Sequence, residues 1–298
     1  MAITTREASS DLGTLCDDTC ASIEVGSGTP TRRRTVSDEE LERMRQEYQA
    51  PNQHALINDL AIRCFREIGD GDYIAARLAM RAGLPVQFLW SALQAVEKYL
   101  KCILVLNRCS AKTRHDLQKA LDAIHRELPF KIKLSTEEQA VFQHIDESGQ
   151  NRYLIESLHL FDYELSHFDS LVWKLRQYCV PLNVEHYNDT PDRNVLLQNI
   201  SKVEIALESP PEYGHLPNGS LERILAAPLS PAREGLIWRN AMFGGQRAMS
   251  AETHLGFKAI NAPLWLRPEL TEIAKEWIKM NTDEIKAFEK YADTKRSR

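Results

Sequence analysis

"QFLWSALQAVEKYLKCILVLN", Gln87 to Asn107, decides how this chain is read. Leu89, Leu93, Val96, Leu100 and Ile103 recur three or four residues apart, which places them on one stripe of a helix four to five turns long. Gln94, Glu97 and Lys101 form a second stripe beside the first. Charges at the edge of a core stripe are tolerated because a lysine stem lies on apolar surface while its head reaches water. Glu97 and Lys101 also stand in the favoured i,i+4 order, worth only about 0.2–0.5 kcal/mol when exposed.

Working outward, the same period recurs. After Pro51, Leu56, Leu60, Cys64 and Ile68 are spaced by four and predict a core stripe, with "GDGD" (69–72) ending that helix. "DYIAARLAMRAG" predicts a second short helix, stopped by Gly83 in a left-handed cap before Pro85. "HDLQKALDAIHREL" turns Leu117, Leu121, Ile124 and Leu128 inward. Ser135 with Glu138 makes a capping box, as do Ser37 with Glu40. "NRYLIESLHLFDYELSHFDSLVWKLRQYC" (151–179) predicts one long helix with Leu154, Leu158, Phe161, Leu165, Phe168 and Val172 on a face. Successive helical patterns with short joints describe an all-α antiparallel bundle with no strand in this half. Beyond Pro181, prolines cut the chain into short helices, among them "TPDRNVLLQNISKVEIALE", where "VEIALE" also alternates like a strand but helix is favoured, "SLERILAAPL", "SPAREGLIWRN" and "RPELTEIAKEWIKM", with a loop at "MFGGQRAMSAETH". The expected organisation is a disordered tail at 1–36, a bundle at 37–180 and an α-helical C-terminal extension at 181–298.

Of the 298 residues, 43% are hydrophobic and 27% charged, the balance of a water-soluble globular protein. The longest aliphatic run, Ile103 to Leu106, is far short of the roughly 20 residues a membrane span needs. No signal-peptide pattern opens the sequence, so a cytoplasmic protein without membrane contact is expected. Six cysteines without a CxxC pair are expected as free thiols, and no cofactor or metal is called for. The tail's "CDDTC" lacks further ligands, and "RRRTVS" is a solvated basic cluster that also fits a basophilic kinase. Net charge is -5, but Lys98 to Lys133 holds nine Lys/Arg against three Asp/Glu, and Leu134 to Ser170 one Arg against eight Asp/Glu. The basic stretch, with Lys98, Lys101, Arg108, Lys112, Arg114 and His115, is the candidate contact for an anionic ligand.

Ala95, Glu97, Lys98, Leu100 and Lys101, then His115, Asp116 and Leu117, then Arg152 and Tyr153, occur in that order. Together they resemble the HEPN family of helical-bundle proteins over about residues 70 to 178. The resemblance implies a homodimer and one of two styles: a nucleotide-, RNA- or protein-binding module, in some members beside a nucleotidyltransferase, or a metal-independent endoribonuclease. A bacterial stress or defence setting is implied by the resemblance alone. In the second style Arg152 and His159, six residues between them, would be catalytic: His159 taking the proton of an RNA 2'-hydroxyl, Arg152 stabilising charge on the phosphate. Seven residues on a helix would return both to one face. Against this, Arg108 with His115 and Arg247 with His254 match the same spacing, Tyr153 follows Arg152 as in non-nuclease members, and the surrounding window is acidic. The binding module is therefore preferred, with the nuclease as the alternative. Glu156 with His159 and Glu212 with His215 share the Glu-x-x-His spacing of di-iron bundles, but the second pair falls in a Pro/Gly loop. Asp116 is expected to cap a helix, and His125, His144 and His167 to have ordinary surface or core roles.

Overall fold

A computed structural model of the chain describes residues 53–151, 154–161, 163–183, 192–209, 211–244, 256–278, 280, 285–286 and 288–290. All lie in the unit Ala50–Arg298. The tail, the Ser37 capping box, "RRRTVS" and Arg247 with His254 fall outside the described residues. The fold is all-α with one small two-stranded sheet.

Gln53–Ala61 (α1), a π turn at Ile62–Arg66 and Glu67–Arg81 (α2) form one unbroken rod. "GDGD" does not stop it. Gly69 lies where α2 meets Pro85–Leu106 (α3), and a Cβ there would stand 3.3 Å from both Lys98 Cβ and the Tyr99 ring. The expected stripe is also turned outward: Leu56, Leu60 and Ile68 are each about half exposed, and Cys64 is exposed. Small residues explain this. Ala55, Ala61 and Gly69 face inward and let the backbones approach, so the leucines take the opposite side. On a regular helix Leu56 and Ile68 would stand about 120° apart; the extra residue of a π turn brings them within about 20°.

Gly83 caps α2 at φ +74, as the sequence predicts, and Pro85 opens α3. Leu89, Leu93, Val96, Leu100 and Ile103 are all at most 1% exposed at the centre of the core. Leu117–Glu127 (α4) is capped by Asp116, whose carboxylate accepts the Lys119 N–H at 2.7 Å. Thr136–Ser148 (α5) carries both hydrogen bonds of the Ser135/Glu138 capping box. Its end presses on α3 at Gly149, where a Cβ would lie 2.7 Å from Leu93 Cβ and 3.0 Å from the Leu89 carbonyl oxygen.

The predicted long helix over 151–179 is corrected in its first half. Asn151 Oδ1 accepts the N–H groups of Ile155 (2.8 Å) and Glu156 (3.3 Å), while its amide donates to the Glu156 carbonyl. This local turn competes with helix, and Leu154 sits in left-handed space at φ 51. Leu158–Phe161 is then a strand (β1), and Glu164–Gln177 is the helix (α6). The strand's partner is Phe257–Ile260 (β2), antiparallel, with Leu158 opposite Ile260 and Phe161 opposite Phe257. No strand was expected at either place, because a four-residue strand carries little periodicity.

The C-terminal part contains Arg193–Glu208 (α7), Ser220–Leu225 (α8), Pro231–Ile237 (α9), Pro263–Leu266 (α10) and Thr271–Trp277 (α11). Pro268 opens a 3-10 turn ahead of α11. Two buried ionic networks tie this part to the bundle. Arg176, fully buried on α6, donates to Asp70 on α2 (Nε 2.8 Å, Nη2 3.0 Å) and to both oxygens of Glu222 on α8 (2.7 Å each). Asp70 also accepts from Tyr99 Oη at 2.8 Å and from Ser220 Oγ. Arg77 pairs with Asp169 and donates to the carbonyls of Gly235 (2.9 Å) and Trp238. Tyr73 Oη donates to Asp169 at 2.7 Å and accepts from Asn240 Nδ2 at 2.8 Å.

Burial alone would raise the Glu222 carboxyl, but Arg176 and the Leu216 N–H hold it below its ordinary value. A carboxylate depressed in the folded state stabilises the fold above its ordinary range, and that contribution is lost as pH falls through the lowered value. Glu222→Gln is expected to lower Tm at neutral pH. The gap between variant and parent should begin to narrow below about pH 4.3, the ordinary glutamate value, and close only once pH has fallen through the lowered one, as read by thermal scans across pH.

Candidate functional site

Two places carry chemistry. The first is the turn from Asn107 to Asp116, between α3 and α4, which holds most of the cations singled out above. Its start is fixed by Arg108, left-handed at φ 62, whose guanidinium donates to Asn58 Oδ1 (2.8 Å) and to the ring nitrogen and carbonyl of His54 on α1 (3.3 and 3.1 Å). Burial pushes that guanidinium below its usual pKa. Its end is fixed by the Asp116 cap and by Asp146, which accepts the Leu117 N–H at 2.9 Å. Between these anchors Thr113 is buried, while Lys112 and Arg114 are exposed, Arg114 again left-handed at φ 56.

Four of the six expected ligand cations already have internal partners. Lys98 Nζ lies 2.6 Å from Asp72 Oδ2 and 3.2 Å from Gln94 Oε1. Lys101 and His115 share Glu97, the latter at 2.9 Å. Arg108 is spent on α1. Asp72 and Glu97 offset the lysine charges that a ligand would otherwise meet, whereas Arg108 keeps its charge but has its donors taken up by neutral acceptors. Lys112 and Arg114 keep no partner among the described residues.

The second place was missed. His144 on α5, His159 and Phe161 on β1, and Tyr163, Glu164 and His167 at the head of α6 line a cavity of about 180 Å³. Glu164 is its organiser: Oε1 accepts the Phe161 N–H at 3.0 Å, and Oε2 lies 2.6 Å from His144 Nδ1. An ionised carboxylate only accepts, so Nδ1 carries a proton, and in the neutral imidazole Nε2 is then the acceptor. Nε2 is buried and has no partner among the described residues, a condition that costs roughly 1–3 kcal/mol when left unmade. The His159 ring stacks on His144 at 5.0 Å, and Phe161 on Tyr163 at 5.2 Å. These residues were hidden because they come from three elements, one of them a strand read as helix. No protein family, curated protein or solved structure matches the chain.

The nuclease pair is affected directly. His159 lies on β1, so its expected position two helical turns beyond Arg152 is corrected, and Arg152 itself lies outside the described residues. Among the described residues no group of three or more His, Cys, Asp or Glu comes together to hold a metal ion. Nor is any helix there long and apolar enough to cross a membrane.

Proposed function

We propose that this chain is a HEPN-type helical module of the cytoplasm that binds RNA or a nucleotide through the turn between α3 and α4. The observation that supports this most directly is charge left over: Lys112 and Arg114 are exposed and have no partner among the described residues, on a turn whose two ends are anchored, while Lys98 and Lys101 are paired with Asp72 and Glu97 and the Arg108 guanidinium is tied to α1. A pre-fixed turn loses little entropy on engaging a phosphate. The same reading includes a second copy of the chain, or a nucleotidyltransferase, as the protein partner, tested by sedimentation of the purified chain alone and in mixture.

Affinity for a labelled single-stranded RNA should fall as salt rises. Lys112→Glu with Arg114→Glu should weaken binding at least about tenfold and flatten the log–log salt slope by about 1.4, the release expected for two phosphate contacts. An unchanged slope would remove this turn from the reading. Cleavage of RNA in EDTA by the parent, lost in His159→Ala, would instead establish the metal-independent ribonuclease.

A further inference from the structure

We infer that the cavity between α5, β1 and the head of α6 is a binding site for a neutral, amino-bearing nitrogen heterocycle of the nucleobase class. Size sets the first limit. A cavity of about 150 Å³ is known to hold a benzene ring, and this one, at about 180 Å³, takes a single planar group and leaves any sugar and phosphate outside. Shape sets the second. Its walls are the rings of His159, Phe161, Tyr163 and His167, surfaces on which a flat heterocycle stacks.

Hydrogen bonding chooses the class. Glu164 fixes a proton on His144 Nδ1, so in the neutral imidazole the buried Nε2 calls for a donor from the ligand. A hydrocarbon ring would leave Nε2 unsatisfied. A phosphate would meet no lysine or arginine in the lining and would face the Glu164 carboxylate. An exocyclic amino group supplies the missing donor, and the stacked rings hold the plane that carries it. The inference is independent of the cationic turn, which contributes no residue to the lining.

The test is calorimetric titration of the whole chain with adenosine and with cytidine. For whichever binds, the same nucleoside without its amino group serves as control. Saturable binding, weakened roughly tenfold by loss of the amino group, is expected. His144→Phe keeps a ring but removes Nε2, and should abolish the difference between the two ligands. His159→Ala, at an exposed position, should weaken both. Penta-adenylate in place of the nucleoside distinguishes a free nucleoside from a base within a strand. Lys112→Glu with Arg114→Glu should leave nucleoside binding unchanged even where RNA binding is lost. The inference is overturned if neither nucleoside binds saturably, if the amino group makes no difference, or if both pocket variants bind like the parent.

Discussion

Arg176→Met will destabilise the protein by about 3–5 kcal/mol, because removing one member of a buried ion pair leaves its partners charged and dry. The effect should reach the upper part of that range. Asp70 and Glu222 both depend on this guanidinium, and Asp70 is itself buried, with the Tyr99 and Ser220 hydroxyls its remaining hydrogen-bond partners among the described residues. Arg176→Lys should recover little. The site uses Nε and Nη2 toward Asp70 and Nη1 and Nη2 toward Glu222, a planar fork that an ammonium does not reproduce. Urea unfolding followed by circular dichroism gives the loss directly. A variant within about 1 kcal/mol of the parent would mean that the network is not closed as described.

Leu100→Ala will cost about 2–5 kcal/mol, the range for a leucine removed from a packed interior. Leu100 is fully buried on α3. Leu56→Ala, by contrast, should change stability by less than about 0.5 kcal/mol, as expected of an exposed site. Both leucines belong to stripes that the sequence assigns to the core, so equal costs for the two would restore the inward reading of α1. The same denaturation series measures both.

That contrast marks where the sequence is legible. The α3 stripe is read correctly because large apolar residues at helical spacing have no other place to go. The Asp116 cap, the Ser135/Glu138 box and the Gly83 cap are equally legible, being local hydrogen-bonding devices a few residues long. The α1 stripe is misread because spacing shows that four residues share a face, not which way the face points. Direction there is chosen by Ala55, Ala61 and Gly69, which signal nothing by size. The helix over 151–163 is misread because apolar residues in "YLIESLHLF" fit both periods, and the decision falls to the Asn151 side chain. The cationic turn is half legible: net local charge locates it, but the acids that silence Lys98, Lys101 and His115 come from α2 and from α3 itself. The histidine cavity needs tertiary structure, since its residues are unremarkable one at a time.

The clasp formed by Arg77 and Arg176 also sets an order of events during synthesis. Both arginines and their acidic partners on α2 and α6 have left the ribosome by Gln177, yet Glu222, Gly235 and Trp238 follow up to about 60 residues later. At ordinary elongation rates of roughly 5–20 residues per second, the nascent bundle waits several seconds with polar groups that have no final partner. A chain released early, between Val180 and Ser220, would carry that unfinished state permanently and should be a preferred substrate for chaperones and proteases.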